Sequence, residues 1–420
     1  MGKTLKFREF AFAPEEFVVE EITRGGVVLE IDTPVNLGAP QDQTLTRDYF
    51  TRFVLQKKNW NSMQALSEIA RRLHALPKRF DFAGTKDRAA LSTQLCSAFA
   101  IPPERLLALK IKDVKILGAW KSKNKVKLGE LAGNRFTVTL TPKNCGKPKT
   151  TPNAKRIAAK AKKMRFVFPN YFGSQRFGSM RGNAAAVGYA LLKKDFEAAV
   201  NNYLCFTAKG ERDDATRAAR ARLAKEKNYA AALDYFPRFL KYERLMLEHL
   251  AKSPRDFAGA FSRLPRHLQL LFIHAVQSEI FNEEVEARVK NKKLFTPQES
   301  DFYCLRDSLG FPLVNEANLV EDAEKVKALV DAGEAFLVSE LVGANSKPSA
   351  AQAKLLKKKK ISVSDFKFST LPWLSTRGGR RALFAPLLHF EIASEKPVRV
   401  RFSLPSGSYA TIAVQELLKP

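Results

Sequence analysis

The stretch GNRFTVTL, Gly133 to Leu140, sets Phe136, Val138 and Leu140 on one side and Arg135, Thr137 and Thr139 on the other. A period of two is the pattern of a strand with one face buried. The pattern recurs near the C-terminus in PVRVRFSLPSGSYATIAV, where Val398, Val400, Phe402 and Leu404 alternate with Arg399 and Arg401. Residues 17–56 also read as strands. Between the β segments, NSMQALSEIARRLHAL puts Met63, Leu66, Ile69 or Ala70, and Leu73 on one helical stripe, with Asn61 or Ser62 as its N-cap. Strands and helices therefore alternate, which predicts an α+β domain. From residue 155 to about 365 helix signals dominate, and RHLQLLFIHAVQSEIFNEEVEARV is apolar on most faces, as a buried helix is. Strand signals return beyond residue 378. A β-rich start, a helical middle and a β-rich end predict one sheet domain interrupted by an insertion.

Composition narrows the partner. The chain has 420 residues and is 45% hydrophobic, enough for two or three domains with cores of their own. It carries 71 Lys and Arg against 43 Asp and Glu, a formal charge of +28. A surplus of that size attracts polyanions, nucleic acid ahead of an anionic membrane surface. Two runs, KRIAAKAKKMR (155–165) and KLLKKKK ending at Lys360, contain no acidic residue and read either as solvated faces or as phosphate contacts. No apolar run approaches the ~20 residues of a membrane-spanning helix, and MGKTLKFREF lacks the apolar core of a signal peptide. A cytoplasmic protein is expected.

Cys96, Cys145, Cys205 and Cys304 form no C-x-x-C pair, and the five histidines form no H-E-x-x-H. No metal is expected, which weighs against a two-metal nuclease built on Asp87, Lys86 and Glu20.

The chemistry centres on FDFAGTKDRAALSTQ, Phe80 to Gln94, where Gly84, Thr85, Lys86 and Asp87 are consecutive. One reading is a solvated turn with a local ion pair. The other is a carboxylate held by a cation and aimed by a glycine turn, with Lys86 facing either Asp87 or a phosphate. An aspartate is ionised at neutral pH and can act on a sugar as the nucleophile of a retaining glycosidase does.

FAGTKDRAALSTQ, LAGNRFTVTL, PNYFGSQRFG, AVQSEIFN and LPSGSYAT, together with PEEFVVEEI and KKNWNS, stand in the order of the TruD family of tRNA pseudouridine synthases, which this chain resembles over nearly its whole length. The resemblance implies a pseudouridine synthase-like catalytic domain with a mixed or antiparallel sheet, formed by residues 1–166 and 378–420. A mostly helical inserted α+β TRUD domain would span 167–377. It implies isomerisation of uridine to pseudouridine in tRNA, at position 13 of the D arm, with no cofactor and no obligate protein partner. Asp87 would be the catalytic carboxylate. Asn134 would hydrogen-bond beside it, Phe136 would stack on the flipped base, Phe17 and Tyr409 would line the pocket, and Lys86 and Arg176 would contact substrate. Two features depart from the family pattern: Val276 stands where a Tyr is frequent, and Ala11 stands where some relatives have Lys, so that Arg8 is the alternative basic contact. The reading from another class is an RNA-binding protein or RNA chaperone without catalysis. Asp87 within GTKD separates the two, because a pure binder has no use for it.

Overall fold

The computed structural model describes residues 10–145, 152–178, 181–208, 211, 213–298 and 301–419. Arg8 lies outside the described residues. The described residues form two compact units: one holds residues from 10–168, 306–311 and 385–419, the other residues from 169–305 and 312–384.

The first unit is built on a mixed sheet. Its strands are β1 (Phe17–Ile22), β2 (Phe50–Lys58), β3 (Phe80–Phe82), β4 (Leu91–Phe99), β5 (Val114–Ser122), β6 (Gly133–Leu140) and the two C-terminal strands Leu388–Glu395 and Val398–Pro405. From one edge the order is Leu388–Glu395, Val398–Pro405, β6, β1, β4, β2, β5, with β3 also paired to β4. Only β1 and β4 run parallel within this sheet. GNRFTVTL is a strand with Phe136, Val138 and Leu140 buried and with Phe402 and Val400 opposite Phe136 and Val138, but the face expected to be open is also covered, since Thr137 and Thr139 are buried. Gly133 opens β6 because a Cβ there would stand 2.2 Å from the Leu404 carbonyl oxygen. Only glycine lets the two strands close at that point.

Residues 17–56 are not continuous strand. β1 ends at Ile22, and β2 begins at Phe50. Between them Gly26 turns at φ 81° and Pro34 and Pro40 remove amide donors, so the segment runs as turns and loop. The helix α1 (Ser62–Arg72) is capped by Asn61, whose side chain accepts from the Gln64 amide at 2.8 Å. Leu66, Ile69 and Ala70 join the core with Phe53, Leu55 and Phe80. Met63, expected on that stripe, is instead 60% exposed.

The second unit is mostly helical. The helix Arg266–Lys290 is buried along Phe272, Ile273, Val276, Ile280 and Phe281, as its all-round apolarity predicts. A small sheet accompanies it, ordered Gly379–Ala382, Ala335–Leu341, Phe302–Leu305, Asn318–Leu319. Residues 378–384 thus stay with the inserted unit rather than with the C-terminal strands, because Ala382 pairs with Val338. The polar residues of AVQSEIFN serve the interior: Gln277 donates to the Val342 carbonyl at 2.7 Å, and Asn282 accepts from the Phe172 amide at 2.8 Å. Among the described residues no helix is long and apolar enough to cross a membrane.

Candidate active site

The loop between β3 and β4 carries Asp87 on a backbone pinned from below. Lys57, near the end of β2, has no exposed surface, and its Nζ donates to the Asp87 carbonyl oxygen at 2.8 Å. Ser62, the first residue of α1, accepts from the Lys86 amide at 3.0 Å and donates to Gln94 on β4 at 2.7 Å. Arg88 reaches the Asn59 carbonyl at 3.3 Å. With the chain held at three consecutive residues, Lys86 points inward and Asp87 outward; Lys86 is 6% exposed, whereas Asp87 is exposed.

The direction of Lys86 corrects one expectation. Its ammonium turns to the interior, 2.5 Å from Glu21 Oε2, in a pair closed off from solvent. The other oxygen of Glu21 accepts from the Leu95 amide at 2.9 Å, where β1 has stopped pairing with β4. Burial pushes the Glu21 carboxyl above its usual range, against the opposing pull of Lys86. Burial also lowers Lys57, to about 8, with Asp87 partly restoring it and Lys86 depressing it further. Nor does the turn require glycine. Gly84 lies outside the left-handed region, and a Cβ there would meet nothing nearer than 3.5 Å. The hydrogen bonds from Lys57 and to Ser62 aim Asp87 in its place.

The Lys86–Glu21 pair ties the loop to the sheet. Glu21 lies directly across from Asn134, so both side chains project from one face of the β1–β6 ladder. Asn134 Oδ1 is buried without a hydrogen-bond partner in the protein. On the same face, Phe136 sits between Phe17 and Phe402, with ring centroids 5.9 Å from each. Phe12 continues the row, stacked on Phe17 at 5.2 Å. Phe17 and Phe136 are each 6% exposed. The strand opposite β6 ends at Pro405, paired with Gly133, and the turn after it passes Gly407 at φ 83° to Tyr409, half-buried before the helix Ala410–Leu417. Lys86, Asn134, Phe136 and Phe17 are thereby linked on one side of the sheet. Arg176 belongs to the other unit, where its guanidinium lies 5.3 Å from the Phe172 ring centroid.

The reverse face has different chemistry. Glu20, adjacent to Glu21 on the strand, points the other way and pairs with Arg135 at 2.7 Å, so it does not join Asp87 and Lys86 as a nuclease would require. Among the described residues no group of three His, Cys, Asp or Glu side chains could hold a metal ion. Of the two basic runs, KRIAAKAKKMR forms the helix Ala154–Lys163, which buries Ala154, Ile157 and Ala161 and turns Lys155, Arg156, Lys162 and Lys163 outward. KLLKKKK lies in the helix Ala350–Lys359 and the residue after it, and its Lys359 is paired with Glu279 and Glu283.

Lys57, Glu21, Ser62 and Gln94 stand within the quoted motifs but are given no role there; for Lys57 and Glu21 the available signal is a charged residue on a strand that is mostly buried, in FTRFVLQKK and FVVEEI.

An α+β unit with an outward carboxylate on a braced loop, tied through Lys86 and Glu21 to the sheet face that carries an aromatic row, has the makings of an enzyme. Comparison with known proteins supplies the rest. The family model described as tRNA pseudouridine synthase D (TruD) matches residues 8–417. A Methanosarcina acetivorans protein named "Probable tRNA pseudouridine synthase D" is 32% identical over 380 residues, covering 87% of this chain and 86% of its own. A Thermococcus sibiricus protein of the same name is 32% identical over 419 residues, covering 97% and 93%. The crystal structure of a Methanosarcina mazei protein titled "Putative tRNA pseudouridine synthase D (TruD)" superposes with a TM-score of 0.73 at 28% identity, covering 100% of this chain and 95% of that one. The chain belongs to the tRNA pseudouridine synthase D family, and it is an isomerase that modifies tRNA.

Proposed function

We propose that Asp87 is the catalytic carboxylate and that the protein converts uridine 13 in the D arm of tRNA to pseudouridine without a cofactor, in the cytoplasm. The observation that carries this reading is the placement of Asp87. It is turned to solvent by a backbone that Lys57 and Ser62 hold from inside.

The reaction breaks the bond between uracil N1 and ribose C1′ and forms one between C5 and C1′. The C5 proton is lost, N1 gains a proton, and no atom is added overall. Asp87 acts on the ribose, either by bonding to C1′ or by removing the C2′ proton, and in both routes one carboxylate suffices. The base must first leave its stack, which costs a few kcal/mol. Stacking of the freed base on Phe136, which keeps 6% of its surface exposed, would offset that cost. The unpartnered Asn134 Oδ1 supports a polar contact to the substrate, since a buried acceptor left unpaired is otherwise unfavourable. Tyr409 as a pocket-lining residue and Arg176 as a substrate contact are carried by the family resemblance. Lys86 serves by fixing the loop through Glu21.

The test uses the purified protein and unmodified tRNA transcripts, with pseudouridine mapped base by base. Conversion of uridine 13, and none in a transcript with cytidine 13, is the expected result. Conversion at a different uridine would overturn the site assignment.

A further inference from the structure

The connection KKNWNS opens a second surface that the chemistry at Asp87 does not use. Asn59, Trp60, Met63, Gln64, Arg71 and Arg88 line an open groove of about 590 Å³ along the first turns of α1. Met63 is 60% exposed in a helix whose other apolar residues are buried. Trp60 is half-buried, and its indole Nε1 donates to the Lys112 carbonyl at 3.2 Å. That bond fixes the ring plane. Arg88 is adjacent to Asp87 in the chain and is tied to the groove through the Asn59 carbonyl, so the groove is continuous with the catalytic loop. The single carboxylate in it, Glu68, is already engaged by Arg71 and Arg72.

We propose that this groove receives an unstacked nucleotide of the substrate RNA next to the target uridine. Its base would lie against Trp60 and Met63, and its phosphate would contact Arg88. The inference rests on Asp87 being the reaction centre. A base flipped from its stack leaves its neighbour exposed on one side, and an aromatic ring beside a thioether, flanked by arginines, suits any base face without selecting sequence. An acidic protein segment would also find Arg88. The flat apolar element, set one residue from the reacting carboxylate in a protein that acts on tRNA, favours RNA.

The test is steady-state pseudouridine formation on tRNA by the full chain carrying Met63→Glu or Arg88→Glu, with melting temperature recorded. Both side chains are exposed, so the fold should be retained. For Met63→Glu the expected result is a KM raised about ten-fold with kcat within about three-fold, the scale of one lost base contact. For Arg88→Glu, KM should rise similarly and the salt dependence of binding should weaken by about one phosphate contact. A KM unchanged in both variants would overturn the proposal and remove the groove from the RNA path. If wild-type protein makes pseudouridine but Asp87→Asn does so equally well, the assignment of Asp87 fails instead. The two failures are therefore separable.

Discussion

The ammonium of Lys57 lies 2.8 Å from the main-chain carbonyl of Asp87, at a strand position with no exposed surface. A charged group is thus kept in the interior to hold the backbone of the residue that faces the substrate. Burial of this kind is unfavourable unless it is compensated, and the carbonyl and the nearby Asp87 charge are the compensation. Replacing Lys57 by Met keeps the stem and deletes the ammonium. The expected outcome is a fall in kcat of at least ten-fold, with tRNA affinity within a few-fold, because the loop is freed while the RNA-facing surface is unaltered. Single-turnover assays beside filter binding distinguish this from a general loss of folding.

The same lysine gives stability a pH dependence of definite sign. With its folded value lowered from 10.5 to about 8, Lys57 is neutral in the folded protein and protonated in the unfolded chain between those limits. The unfolded state binds more protons there, so this group makes stability rise with pH across that window, by up to the order of 3 kcal/mol. Buried Cys96, whose thiol burial pushes up, works in the opposite direction. The quantity to measure is therefore the difference in urea-unfolding free energy between wild type and Lys57→Met. It should shift in favour of wild type from pH 7.5 to pH 10. A difference flat with pH would show that Lys57 titrates normally.

Glu21 and Lys86 should behave as one unit. Glu21→Gln leaves an ammonium buried without its partner, and Lys86→Met leaves a carboxylate so. Each single change is expected to destabilise by about 3–5 kcal/mol. The double variant removes both charges, so its loss should fall short of the sum by at least about 1 kcal/mol. Additive losses in a double-mutant cycle would mean that the pair is not coupled in solution.

Phe136 fills core volume and also presents a ring. Phe136→Ala should lower stability by about 3–5 kcal/mol, while Phe136→Leu should cost less than about 2 kcal/mol. If the ring stacks on uracil, the Leu variant should still lose ten-fold or more in kcat/KM at a temperature where it is fully folded. Full activity in that variant would assign Phe136 to packing alone.

Much of the sheet was legible because its alternation is unbroken. Phe136, Val138 and Leu140 on β6, and Val398, Val400, Phe402 and Leu404 on its neighbour, face the same interior and need no long-range information to be recognised. The span between β1 and β2 was not legible as loop, since Val27, Val28, Leu29 and Ile31 carry strand propensity that Gly26 and the prolines override. At the site, Asp87 is singled out from GTKD, whereas Asn134 is singled out only through the family resemblance. The direction of Lys86 could not be read, because its partner Glu21 is 65 positions away and Asp87 is adjacent. Lys57 is hidden for the same reason: its partner lies 30 residues on, and a lysine near a strand end reads as solvated. The division of the chain also turned on pairing, since Gly379–Ala382 pairs with Ala335–Leu341 of the inserted unit.

The measurement that bears most directly on the account is pseudouridine formation by Asp87→Asn under single-turnover conditions with saturating tRNA. The amide is nearly isosteric, and the buried supports from Lys57 and Ser62 act on the backbone, so the loop is expected to keep its place. The account predicts no detectable pseudouridine, with tRNA affinity and melting temperature close to wild type. Substantial conversion by a preparation free of wild-type enzyme would contradict it.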